Sequence, residues 1–214
     1  EDREFEKCSY ITAVSNLAKK TIVDEGVPSD KIIVNYPIID HKKPSRYITP
    51  IQSPNRFRVL FVGNVNLRKG IHYLVQAFRL ANIPDSELNI IGDLSQLKAD
   101  KNFVSYIQSR VDQRVSFLGP LSREKISKYY ETSSVLVLPS IADGFGMVVS
   151  EALSFGLPCL VSTNCGASEL IENGSNGYIY NPRDAEALAH LLVTISTDSD
   201  LLEHLSLNAA TSIR

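Results

Sequence analysis

Three times after residue 56 a short apolar run stops at a glycine and helix-forming sequence follows. Arg58 to Val62 ends in Gly63, Leu88 to Ile91 in Gly92, and Val115 to Leu118 in Gly119. Val135 to Leu138 is a fourth run, closed by a Gly-rich turn, and Cys159 to Val161 and Tyr178 to Tyr180 complete six. A run that is apolar throughout, rather than at alternate residues, belongs to a strand buried on both faces. Between the runs lie helical stripes. Ile71, Leu74, Val75 and Phe78 share one face, as do Leu188, Leu191, Leu192 and Ile195. Ser122 can cap a short helix carrying Ile126, Tyr129 and Tyr130, and a further helix runs from about Gly146 to Phe155. Strands and helices in alternation, joined by right-handed crossovers, predict an α/β chain with a Rossmann-like, doubly wound parallel sheet. Ligands of such sheets bind at the carboxyl ends of the strands, so the glycine-terminated ends are the places to search.

The first quarter of the chain has a different rhythm. Tyr10 to Val14 is a short β-prone run, Ser15 is a candidate N-cap, a helix runs towards Gly26 as its C-cap, and Lys31 to Tyr36 reads as a second strand. Pro37, Pro44, Pro50 and Pro54 then interrupt the chain with no apolar period between them. A Pro-rich linker at 37–55 is expected to separate residues 1–36 from a second unit at 56–214. At 214 residues the chain can bury one sizeable core and part of another. It begins with Glu1-Asp2-Arg3-Glu4 rather than Met or a signal peptide, and is read as starting within a longer protein.

Composition removes several classes of function. Lysine and arginine number 22 against 24 acidic residues, so the basic excess of a nucleic-acid binder is missing. The longest uncharged stretch, Ala152 to Ser168, is interrupted by Gly156, Pro158, Asn164 and Gly166 and does not suit a bilayer. Cys8, Cys159 and Cys165 are odd in number and have no metal-ligand spacing, which favours a reducing, cytoplasmic compartment. His41, His72, His190 and His204 share no ligand spacing either, so no metal site is expected. Asp198-Ser199-Asp200 reads as the cap of the last helix, Asn173-Gly174-Ser175 as a turn, and Tyr129 and Tyr130 as packing residues.

Two strand-end loops carry chemistry. In Gly63-Asn64-Val65-Asn66-Leu67-Arg68-Lys69-Gly70, Gly63 lets the backbone turn, and two cations stand at the mouth of a helix whose dipole already favours an anion. That arrangement is either a solvated basic turn or a phosphate site; its spacing fits neither Gly-x-Gly-x-x-Gly nor the Walker loop. In Pro139 to Ala152, a Gly-rich loop leads into a helix whose opening amides, Phe145 to Val148, are unpaired donors. Asp143 and Glu151 there are either a cap and a surface acid or acceptors for sugar hydroxyls. Ser162 to Glu169 is a third strand-end loop, in which Glu169 reads equally as a cap for the helix that follows.

These segments carry a family resemblance. "PSIADGFGMVVSEALSFGLPCLVSTNCGASELIENGSNGYIYNPRDAEALAHLL" resembles the signature of retaining nucleotide-sugar glycosyltransferases of family 4, and "RVLFVGNVNLRKGIHYLVQAF", "LNIIGD" and "VSFLGPL" match its earlier blocks in order. "YITAVSNLAKKTIVDEGVPSDKIIVNYPIID" looks like the end of that family's first domain. The resemblance implies a GT-B architecture of two Rossmann-like domains, of which this chain is the C-terminal, donor-binding half. It implies sugar transfer from a UDP-, GDP- or ADP-linked sugar to a glycan, lipid-linked glycan or polysaccharide acceptor held by the missing N-terminal domain, without an essential metal or other cofactor. It leaves room for peripheral membrane contact through that domain.

Carried over by position, Arg68 and Lys69 neutralise the donor diphosphate, Asp143 contacts the transferred sugar and Glu151 the ribose hydroxyls, and these four are the expected catalytic set. Gly63, Asn64 and the backbone of Gly144, Phe145, Gly146, Met147 and Val148 bind the donor. Leu118, Gly119 and Leu121 read the base, and Asn164, Cys165 and Gly166 face the sugar or acceptor. Two positions depart from the pattern. Asp143 stands where glutamate is usual and is one methylene shorter, and Asn64 stands where many members place a phosphate-binding arginine. Two alternatives remain open: a non-catalytic nucleotide-sugar-binding or regulatory subunit, and a GT-B sugar-nucleotide epimerase. An isolated donor half is expected to bind weakly and transfer little.

Overall fold

A computed structural model describes residues 8–37 and 56–212. Its centre is a six-stranded, wholly parallel sheet formed by β3 (Phe57–Val62), β4 (Ser86–Ile91), β5 (Val115–Gly119), β6 (Val135–Leu138), β7 (Cys159–Ser162) and β8 (Gly177–Tyr180), in the order β5-β4-β3-β6-β7-β8. All six strands match the apolar runs of the sequence to within two residues. The interior strands are closed to water on both faces: every residue of β6 and β7 is buried, as are Val59 to Val62 of β3. Burial on both sides is why the runs are apolar without alternation. Each fully enclosed Leu, Ile or Phe contributes about 1.5–3 kcal/mol.

The helices between the strands are α2 (Ile71–Ala81), α3 (Ser95–Ala99), α4 (Lys101–Gln108), α5 (Arg123–Thr132) and α6 (Met147–Ser154). After β8 come α7 (Ala185–Thr197), which packs on α2, and α8 (Ser199–Ser212), which packs on α6. Ile71, Leu74, Val75 and Phe78 are the buried stripe of α2, as their spacing predicts. Leu188, Leu192 and Ile195 do the same for α7, with Leu191 partly buried beside them. Asp198 accepts a hydrogen bond from the Leu201 amide (2.9 Å), the expected cap of the last helix.

The sequence reading leaves 93–114 without an element, whereas the chain forms α3 and α4 there. Asp100 explains the difference. Its carboxylate accepts from the amides of Asn102 and Phe103, ending one short helix and starting another. The buried residues Leu97, Phe103 and Ile107 are therefore out of step with any single helical period.

Residues 8–37 form a separate parallel pair, β1 (Ile11–Ala13) and β2 (Ile32–Val34), joined by α1 (Asn16–Asp24). The Ser15 hydroxyl caps α1 by accepting from the Ala18 amide (3.0 Å). Gly26 sits just past the C-cap, Glu25, with φ +94°. β2 is shorter than the Lys31 to Tyr36 reading at both ends: Ser29–Lys31 winds into a 3₁₀ turn before it, and its partner β1 ends at Ala13, opposite Val34. Apart from Pro37, the expected linker lies outside the described residues.

Candidate functional site

In the observed strand order β3 and β6 lie side by side, although the chain visits β4 and β5 between them. Successive strands run outwards from this pair in opposite directions, so the loops leaving β3 and β6 border the crevice in which doubly wound sheets hold their ligands. The loops are the two singled out in the sequence, and here they are bonded together. The Ile141 amide donates to the Arg68 carbonyl (2.8 Å), and Arg68 Nη1 donates to the Ala142 carbonyl (3.0 Å). Gly70 has φ +69°, and a Cβ added to it would lie 1.9 Å from the carbonyl oxygen of Pro139, so only glycine allows this approach.

Local bonds then aim the side chains. Asn66 Oδ1 accepts from the Lys69 amide (2.9 Å) and shapes the turn that brings Lys69 round. Lys69 Nζ forms an ion pair with Asp143 Oδ2, joining residues 74 apart in sequence. Both side chains are only 12–15% exposed, so solvent screens the pair less than it would a surface pair. α2 and α6 open on Gly70 and Gly146, both left-handed, and neither has a side-chain cap. The helix start beside Lys69 and Asp143 therefore offers backbone donors with no side-chain acceptor on them.

A third loop supports the second. The Asp143 amide donates to the Asn164 carbonyl (3.0 Å), the Gly166 amide to the Asp143 carbonyl (3.0 Å) and the Ala167 amide to the Phe145 carbonyl (2.5 Å). Asn164 is exposed, and its side-chain amide holds the Ile141 carbonyl (3.0 Å). Cys165 and Gly166 require correction. Cys165 does not face a sugar: it has no exposed surface and its thiol donates to the Phe145 carbonyl (3.0 Å). Burial, reinforced by the charge of Asp143, pushes that thiol's pKa up to about 12, so it is an inert packing group. Gly166 is buried too, wedged against the Gly144 carbonyl and the Ser15 side chain.

The remaining expected residues spread outward from this point. Glu151, on α6, accepts from the Tyr130 hydroxyl (2.9 Å) and has Arg123 Nη2 at 3.9 Å. Tyr130 packs, as read from sequence, but also orients Glu151; burial and then the neighbouring carboxylate raise its pKa and keep it protonated. Gly63 and Gly119 continue the row of strand ends, with the Gly63 amide on the Ile91 carbonyl (2.9 Å) and the Gly92 amide on the Gly119 carbonyl (3.0 Å). Leu118 and Leu121 are partly buried against the core, Met147 and Asn64 are exposed, and Phe145 is buried. Asn64, Asn66, Arg68, Gln96, Asp100 and Phe103 line a cleft of about 340 Å³. Its far wall is the α3–α4 segment that the sequence reading leaves unassigned.

Asn66 and Tyr130 thus join the site as orienting groups. An asparagine three residues before a lysine is a turn signal that could have identified the first. Glu169 does not cap the helix that follows it in sequence; its carboxylate lies on the start of α1. Among the described residues, no three His, Cys, Asp or Glu side chains gather at one point, and no helix is long and apolar enough to cross a membrane.

The family profile described as "Glycosyl transferases group 1" matches residues 49–212. The chain belongs to this glycosyltransferase family. A glycosyltransferase of Methanocaldococcus jannaschii is 28% identical over 96% of the chain and 55% of its own length. The Escherichia coli UDP-Gal:alpha-D-GlcNAc-diphosphoundecaprenol alpha-1,3-galactosyltransferase is 31% identical over 74% of the chain and 41% of its own length. Among solved structures, Anabaena HepE in complex with UDP and glucose superposes with a TM-score of 0.82 at 24% identity, over 95% of this chain and 58% of that one. The fold is thus that of GT-B glycosyltransferases, and the chain spans about half the length of the relatives it matches.

Proposed function

We propose that this glycosyltransferase chain is the donor-binding half of a retaining enzyme of family 4, which moves a sugar from a nucleoside diphosphate to a glycan or lipid-linked acceptor. One observation carries the reading: Arg68 and Lys69 are bonded to Ile141, Ala142 and Asp143, the loop that leads into the uncapped start of α6, at the crevice between β3 and β6. A dianionic diphosphate has cations on one side and backbone donors on the other.

During transfer the bond from the anomeric carbon to the diphosphate oxygen breaks, and a new bond forms to the acceptor hydroxyl oxygen, which loses its proton. Negative charge grows on the departing nucleotide, where a fixed cation and oriented amides lower the barrier most. Lys69, half-buried, is the principal cation, and the exposed Arg68 guanidinium keeps its charge while one N–H bonds the Ala142 carbonyl. Asp143 holds Lys69 while the site is free and turns to a sugar hydroxyl once the diphosphate takes the lysine. Glu151, oriented by Tyr130, serves the ribose hydroxyls, and the base lies towards Leu118 to Leu121. UDP-sugars are the first candidates, because the galactosyltransferase relative is named for UDP-Gal and HepE was solved with UDP-glucose. The site faces the cytoplasm in this reading, works without an essential metal, and receives its acceptor from the part of the protein outside this chain.

Calorimetry with UDP, GDP and ADP tests the proposal. One of the three is expected to bind. Lys69→Ala is expected to weaken that binding ten- to a hundredfold, corresponding to loss of one charge-assisted contact of about 1.5–3 kcal/mol. Absence of binding to all three, or a Lys69→Ala variant equal to wild type, would remove the assignment.

A further inference from the structure

The donor loop, Asp143 to Gly146, has a second neighbour in the unit formed by residues 8–37. The Leu17 amide, in the first turn of α1, donates to Glu169 Oε1 (3.0 Å) across 152 residues of sequence. The other carboxylate oxygen, Oε2, accepts from Asn16 Nδ2 and from the Tyr36 hydroxyl, each at 2.8 Å. Asn16 Nδ2 also lies 2.7 Å from the Tyr36 oxygen, closing a triangle around Glu169. One carboxylate thus joins the start of α1 to the stretch that follows β2. A negative group at a helix N-terminus is favoured by the dipole as well as by the hydrogen bond. The bond to Glu169 raises the Tyr36 pKa, keeping that hydroxyl a donor.

Beside this triangle the same unit rests on the loop between Asp143 and Gly146. Ser15 Oγ, while capping α1, donates to the Gly144 carbonyl (2.7 Å). The rings of Tyr36 and Phe145 are 6.2 Å apart between centroids. A Cβ added at Gly144 would sit 3.5 Å from Val14 Cγ2, and one added at Gly166 would sit 2.5 Å from Ser15 Oγ, so no gap separates the two surfaces. Phe145 and Gly144 are the links between Asp143, which holds Lys69, and Gly146, which opens α6.

We propose that Glu169 is a positioning residue: by seating the start of α1 on Gly144 and Phe145 it holds the donor loop in the shape that binds the nucleoside diphosphate. The part concerning ligand affinity rests on the donor-site reading above; the part concerning loop order does not. Glu169 itself touches neither Lys69 nor the α6 start in any bond described here, so its effect must pass through the loop.

The experiment is amide exchange by NMR on the whole chain, with calorimetry against UDP, for wild type, Glu169→Ala and Glu169→Gln. Three amides report on the loop: Asp143, Gly166 and Ala167, each bonded as described above. In Glu169→Ala these amides and that of Leu17 are expected to exchange at least tenfold faster, and UDP to bind three- to tenfold more weakly. Glu169→Gln keeps one acceptor oxygen but not the charge, and should fall between. If Glu169→Ala proves unfolded, Glu169→Gln decides the matter by the same readouts. Faster exchange at Leu17 with the three loop amides within twofold of wild type would overturn the proposal, since the carboxylate would then secure α1 alone. So would loosened loop amides with unchanged UDP affinity. If wild-type chain binds no nucleotide, the donor-site reading fails by itself, and the exchange data still decide whether Glu169 orders the loop.

Discussion

Gly70→Ala is expected to lower the stability of the chain by about 3–4 kcal/mol, seen as an early midpoint in urea unfolding with little change in slope. Two costs combine. The residue has φ +69°, where a side chain costs about 1–2 kcal/mol even in open space. The new methyl would also stand 1.9 Å from the Pro139 carbonyl oxygen and 2.9 Å from its carbon, and these are backbone atoms that cannot rotate away. The contact must open, and with it the bond from the Ile141 amide to the Arg68 carbonyl that joins the two ligand loops. Gly26→Ala provides the comparison. Its φ is +94°, but nothing lies within 4 Å of the added carbon, so only about 1–2 kcal/mol should be lost. Equal losses in the two variants would show that the loops can separate freely.

Phe61→Ala should cost as much or more, about 3–5 kcal/mol. The side chain has no exposed surface and lies on β3, which is paired on both edges. Its ring reaches upward as well, since a Cβ built at Gly63 would lie 3.5 Å from Phe61 Cζ. The cavity left behind would therefore open directly below the first ligand loop. Phe61→Leu retains most of the volume and should lose less than about 1.5 kcal/mol. Urea unfolding of the pair measures the difference, and a Phe61→Ala loss no larger than that of Phe61→Leu would contradict the packing described.

The strands were legible because burial on both faces leaves a compact signal within four to six residues. The glycine loops at their ends were legible for a related reason: a backbone that must turn and approach another backbone selects a residue type. Partnerships were much less legible. Nothing local to Asp143 points to Lys69, and nothing local to Glu169 points to Leu17; each pair forms only because the topology places distant loops together. Cys165 illustrates the opposite error. It lies in the correct loop, but position in a loop does not say which way a side chain turns, and this one turns inward to the Phe145 carbonyl. Residues 95–108 carry no legible period because a cap at Asp100 splits the helical rhythm into two short pieces.

The pairing of β3 with β6, Val59 opposite Val135 and Leu60 opposite Leu136, has a consequence for how the molecule acquires its site. Two strands and three crossovers lie between them in sequence, so closing the crevice costs more loop entropy than pairing strands that follow one another along the chain. An occupant of the crevice therefore binds only states in which β3 and β6 are paired. Occupancy and stability are then one equilibrium: an occupant present at a hundred times its dissociation constant adds about 2.7 kcal/mol, through mass action, to the free energy that keeps the sheet closed.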